Sequence, residues 1–179
     1  LQLRREPLAS TEKAVALTIR QGVPILAVAE APFEQFSSGE QEALLEHLLK
    51  HLLHLHPLRR RERNSHDWDV ACDLAINTDI VGLPAGALYP ATYNMPPNLA
   101  AEEYYDLIVP PFDLGNADGS GAGSAGQDFN GAVGAGNEQQ FESVETIDDH
   151  EQWPDADSTP LQLGEEMVRS MVQDALRGS

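Results

Sequence analysis

The chain is short of four things, and each shortage excludes a class of protein. It has a single cysteine, Cys72, so neither a disulfide framework nor a cysteine-rich zinc site can form within it. It has only 11 Lys and Arg against 29 Asp and Glu, a net charge of −18. That balance argues against a nucleic-acid surface, because phosphate binding needs clustered cations. No apolar run approaches the roughly 18 residues of a membrane helix. The first ten residues, LQLRREPLAS, hold no apolar signal core and no initiator Met, so the expectation is a cytoplasmic protein or one trimmed at its N-terminus.

The remaining composition suits one domain with a sizeable core: 179 residues, 41% of them hydrophobic. Charge is unevenly placed. Residues 1–63 carry 9 of the 11 cations against 8 acids, residues 64–109 carry 7 acids and no cation, and residues 110–179 carry 14 acids and two arginines. The one basic cluster, RRRER at 59–63, reads as a solvated helix end, where cations suit the helix dipole.

Hydrophobic patterning divides the chain into elements. Residues 10–21, STEKAVALTIRQ, are expected to be helical, with Ser10 or Thr11 as cap. VPILAVAEAPF (23–33) is short, apolar and bounded by Gly22 and Pro32, which favours a strand. A helix follows from Ser37 or Ser38, with Glu40 and Glu42 in its first turn and Pro57 as its stop. A second buried helix fits 65–80 with Asp67 as cap, and a shorter one fits 99–109 with Asn98 as cap. The Gly- and Pro-dense stretch between them is loop. These elements give a core over 1–112. A flexible Gly/Ala/Asn-rich insertion is expected over 113–140, then an acidic segment over 141–179 whose C-terminal helix packs back on the core.

The chemistry is concentrated in EHLLKHLLHLHPLRR, residues 46–60. With His47 as origin, His51 falls at about 40° and His54 at about −20° on a helix, while the leucines span about 80° to 240°. His47 and His51, one turn apart, can aim two imidazoles at one ion, the spacing that zinc peptidases use. His56 falls near 180°, roughly opposite, and joins them only if the helix breaks first, which Pro57 makes plausible. The following helix places Asp73 among small apolar residues, where an acid is costly to bury unless paired or bound to metal. Asp73 is therefore a candidate third ligand, with Asp69 and Asn77, one turn to either side, as candidate supports for a histidine. The competing reading of each is ordinary: histidines on a polar helix face and a salt-bridged structural aspartate.

Taken together, LLEHLLKHLLHLHPLRR, then WDVACDLAINTDIVGLPAGALYP, then NLAAEEYYDLI resemble the zinc metallopeptidase-like domain that precedes von Willebrand factor A-like domains in bacterial proteins, often beside AAA-type ATPases. That pattern runs H-E-x-x-H, a later His, N-x-A-x-D-x-x-x-N, LP-x-G-x-LY and S-x-E-E-Y-Y. Order and spacing agree across roughly residues 25–108, and weakly at DDHEQW and the last helix. The resemblance implies a zincin-like α+β fold, rich in helix, with a small β-sheet beside the histidine helix. It implies zinc held by His47 and His51 with Asp73 or His56, supported by Asp69 and Asn77. Its partners would be the von Willebrand factor A-like domain, the ATPase, and a protein or peptide ligand, with neither nucleic acid nor membrane.

Two positions depart from the pattern: Asp69 stands where it has Asn, and Leu48 stands where it has Glu. In a zinc peptidase that Glu takes a proton from the attacking water and passes it to the leaving amine. Leu does neither, and Glu46, about −100° from His47, lies on the wrong side to replace it. The expectation is therefore a zinc-binding pseudoenzyme with weakened or lost peptidase activity. The alternative is a metal-free structural or protein-interaction domain on the same scaffold.

Overall fold

A computed structural model describes residues 1–8, 12–20, 23–110, 140–151 and 153. It corrects the first expected helix. VALTIR is a strand, β2 (Val15–Arg20), paired antiparallel with β3 (Val23–Val28) from Val15↔Val28 to Arg20↔Val23. The alternation that marks a strand was hidden because both faces of β2 are covered. Val15 and Leu17 face the main core, while Ala16 packs with Ala27 and Leu8 on the other side. The cap expected at Ser10 or Thr11 lies outside the described residues. The strand expected over 23–33 ends at Val28, and Glu30–Phe33 form a single helical turn, α1.

A third strand, β1 (Gln2–Arg5), runs parallel to β3 on its other side, giving the order β1-β3-β2. Pro24 is tolerated in the central strand because β1 pairing begins only at Ile25, so its missing N–H removes no bond on that side. The result is a mixed α+β fold.

Helix α2 (Ser38–Leu53) starts at Ser37 through a capping box: Ser37 Oγ accepts from Glu40 N, and the Glu40 carboxylate accepts from Ser37 N at 2.9 Å. Leu44, Leu48 and Leu52 recur at helical spacing and pack on Val15, Leu17, Leu26 and Val28 of the sheet. Each such leucine contributes about 1.5–3 kcal/mol of burial. Leu49 and Leu53 stay exposed, so the buried stripe is narrower than the leucines alone suggest. The helix ends earlier than Pro57. His54 is its C-cap, Leu55 turns left-handed at φ 57°, and Pro57 lies in the first turn of a new short helix, α3 (His56–Arg59).

Helix α4 (Ser65–Ile76) is capped by Asn64, whose Oδ1 accepts from Asp67 N at 3.2 Å. Asp67, expected as the cap, is the residue that receives it. Val70, Ala71 and Leu74 of α4 pack on Tyr104 and Ile108 of α5 (Ala101–Ile108). That helix starts at Ala100, whose N–H donates to Glu103 at 2.8 Å, and not at Asn98, which sits left-handed at φ 62°.

Phe141 enters the α4–α5 core with zero exposure. Residues 146–151 then cross to the outer edge of β2, where Asp149 pairs in parallel with Ala16 and its N–H donates to Val15 O at 2.9 Å. The helix expected at the C-terminus and nearly all of the insertion expected over 113–140 lie outside the described residues. Among the described residues no helix is long and apolar enough to cross a membrane.

Candidate metal centre

Helix α2 is buried on two sides. One side rests on the sheet and the other faces α4 and the 148–150 segment, so His47 and His51 are fully buried rather than lining a wet edge. Asp73 faces them from α4. Asp148 and His150, alternate residues of the segment that pairs with β2, complete the group. One donor atom from each of the five, His47, His51, Asp73, Asp148 and His150, lies within 4.8 Å of all the others.

The separations are short. His47 Nε2 is 3.0 Å from His51 Nε2, 3.1 Å from Asp148 Oδ1 and 3.6 Å from Asp73 Oδ1. His51 Nε2 is 3.2 Å from Asp73 Oδ1. His150 Nε2 is 2.9 Å from Asp148 Oδ1 and 4.0 Å from Asp73 Oδ1. An ion with tetrahedral bonds of about 2.0–2.2 Å holds its ligand atoms about 3.3–3.6 Å apart. The observed spread brackets that value.

A second layer surrounds these side chains. Asn77 donates through Nδ2 to Leu88 O at 3.0 Å, which leaves its Oδ1 to accept from His47 Nδ1 at 2.8 Å. The proton of neutral His47 is thereby fixed on Nδ1, and Nε2 offers a lone pair to the cluster. His56 meets the far side of His51, Nδ1 to Nδ1, at 3.0 Å. Asp69 Oδ1 is 3.5 Å from His150 Nδ1. The Trp153 ring lies 4.0 Å from that of His150 and 5.2 Å from that of His51.

Electrostatics divides the group. Burial raises Asp73 to about 6, with the neighbouring Asp148 adding to the effect against His47. Burial also opposes ionisation of Asp148, but His150 and His47 outweigh it and hold its carboxyl well below the usual range. Burial likewise works against protonated His150 and His47, yet Asp148 lifts His150 well above the usual histidine value, and Asp148 with Asp73 raises His47. His51 and His56 are pushed well down, first by burial and then by the neighbouring imidazole, His47 and His51 respectively. Without an ion, the two carboxylates therefore favour the protonated forms of His47 and His150.

The donor set fits a cation. Asp148 Oδ2 and both ring nitrogens of His150 are buried without a hydrogen-bond partner, so the 2.9 Å approach of His150 to Asp148 is an ion contact without hydrogen-bond alignment. Buried polar atoms normally find partners, and three imidazoles with two carboxylates around one point are what a divalent metal would satisfy. The five residues could hold a metal ion.

Of the candidates read from the sequence, the fold brings His47, His51 and Asp73 into this group. His56 is not in it: the left-handed turn at Leu55 directs its ring to the back of His51 instead. Asn77 lies behind His47 and Asp69 behind His150. Asp148 and His150 were missed as donors. Their signal was the D-x-H spacing of DDHEQW, which puts two donors on one side of an extended segment, but nothing local tied that segment to α2. Leu48 does not face the cluster; it is fully buried against the sheet.

A family model described as "Putative metallopeptidase domain" matches residues 18–176. No curated protein and no solved structure gives a significant match.

Proposed function

The chain belongs to that family of metallopeptidase domains, and from this premise we propose that it is a zinc-binding member whose peptidase activity is weakened or lost. The observation that carries the reading is the buried five-donor group. A catalytic zinc keeps an open position beside three protein ligands, whereas a structural one is closed by the protein. Here three histidines and two aspartates converge, and the most exposed of them, His150, is 6% accessible. Zinc accepts both imidazole nitrogen and carboxylate oxygen, and bound there it would supply the divalent charge that neutralises Asp73 and Asp148.

The residue after His47 supports the same conclusion. Leu48 carries no proton, and its side chain is packed among Val15, Leu17 and Val28. Losing a general base typically lowers a rate by about 10²–10⁴-fold. The metal-free interaction domain remains the second reading. It is favoured by an open cleft of about 650 Å³ beside Asp148 and His150, whose wall carries Glu142 and Glu151 together with Lys13, paired to Glu145 at 3.2 Å, and Arg60, a mixed-charge surface that suits a polar partner.

Elemental analysis of protein purified without a His-tag or added zinc tests the proposal, with His51→Ala as control. About one zinc per chain, lost in the control, is expected, together with little or no peptide hydrolysis by the wild type. Robust metal-dependent proteolysis would overturn the assignment of lost activity. No metal after zinc is offered would leave the scaffold without its ion and favour the second reading.

A further inference from the structure

The fourth histidine of the cluster in sequence, His56, has so far no role. It is 1% exposed and lies outside the convergent donor group, yet the backbone is bent to bring it inward. A regular continuation of α2 would carry it to the far side of the helix from His47. Instead Leu55 adopts φ 57°, a left-handed conformation that a residue with a Cβ rarely adopts. Trp68 Nε1 then donates to His56 O at 3.2 Å and anchors the turn on α4.

Proton placement defines what His56 does there. Two ring nitrogens 3.0 Å apart need one proton between them: none would set lone pair against lone pair, and two would set N–H against N–H. His51 Nε2 points into the donor group, 3.0 Å from His47 Nε2 and 3.2 Å from Asp73 Oδ1. To present a lone pair there, neutral His51 must carry its proton on Nδ1. That proton can go only to His56 Nδ1, so His56 keeps its own on Nε2 and stays uncharged.

We propose that His56 is a positioning residue that accepts the Nδ1 proton of His51 and so presents His51 Nε2 to the ion. In most metal sites a carboxylate or backbone carbonyl does this for a ligating histidine; here a second imidazole does, matched on His47 by the side-chain oxygen of Asn77. Both the role in metal binding and the lone pair asked of His51 Nε2 rest on the function proposed above, while the 3.0 Å contact between the two Nδ1 atoms does not.

The test uses the whole chain and two variants. His56→Asn keeps a side-chain oxygen near the position of Nδ1, while His56→Phe keeps a ring without an acceptor. Nitrogen NMR of the chelator-treated wild type is expected to show His51 as the Nδ1–H tautomer, and His56→Phe is expected to shift it towards Nε2–H. Zinc affinity should fall about 10–100-fold in His56→Phe and recover most of that loss in His56→Asn. A merely structural role would lower the melting temperature of both variants without moving the tautomer. An Nε2–H His51 in the wild type, wild-type affinity in His56→Phe, or equal losses in the two variants would overturn the proposal. If the wild type binds no zinc, the function proposed above fails, and the tautomer still decides the part played by His56.

Discussion

Leu48 and Asn77 show how much depends on which way one side chain faces. Leu48 is next to a candidate ligand in sequence but belongs to the leucine–valine core in space. Leu48→Ala should lower stability by about 2–5 kcal/mol in urea titration, and the isosteric Leu48→Met by less than about 1.5 kcal/mol. Leu48→Glu should be at least as damaging as the alanine, because it buries an unpaired carboxylate, and should add no hydrolysis of a peptide substrate. A gain of turnover in that variant would show that position 48 can reach the cluster after all. Asn77 is its counterpart. Asn77→Ala removes the acceptor of His47 Nδ1 and should weaken zinc binding by about 10–100-fold, whereas Asn77→Asp keeps an oxygen there and should weaken it less. Competition with a chromophoric chelator reads both.

At the scale of elements, the ends of helices carry the arrangement. Asn64 caps α4, the helix that presents Asp73 and Asn77. Asn64→Ala should cost about 1 kcal/mol in denaturant unfolding and speed amide exchange in the first turn of α4. An unchanged midpoint and exchange pattern would show that the cap contributes nothing. The early end of α2 matters more for the site. Three residues of its expected span leave the helix, and the left-handed Leu55 converts a histidine that would have faced away into the neighbour of His51. Strand β2 also acts as an element, since its outer edge holds Asp149 and thereby sets Asp148 and His150 against α2.

Across the whole molecule, the centre joins parts of the chain about a hundred residues apart: His47 and Asp148 touch at a sequence separation of 101. An ion held there would bind the folded chain and not the unfolded one, adding about 2.7 kcal/mol at a hundredfold excess over its dissociation constant. Chelation should therefore lower the melting temperature, speed exchange of the Asp149 amide and change the fluorescence of Trp153. Retained protection of Asp149 after chelation would show that the segment docks without help from a metal. The metal-free protein should also have a distinctive pH dependence. His150 and His47 have raised values, so their stabilising charge is full below an unfolded value of about 6.5 and is lost as pH rises through the folded ones. Between about pH 7 and 8, His51 and His56 are neutral in both states and Asp73, at about 6, is ionised in both. Metal-free stability should then fall across that window. The increment that zinc adds should grow, because protons must leave before it binds. Parallel slopes with and without zinc would contradict the charge assignment.

The sequence by itself determined the α+β class through its family resemblance, and, residue by residue, the histidine helix with a cap at Ser37 or Ser38, the buried α4, and the candidates His47, His51 and Asp73. The helices and the candidates rest on local signals: helical spacing, a capping pair three residues apart, and an acid among small apolar residues. Only the tertiary structure decided that VALTIR is a strand, because a segment covered on both faces shows no alternation and its partner strand selects the conformation. Only the tertiary structure brought in Asp148 and His150, moved His56 from the candidate ligands to the back of His51, and turned Leu48 towards the sheet. A ligand set is a coincidence of atoms in space, and chain distance carries no record of it until packing has closed the loop between the donors.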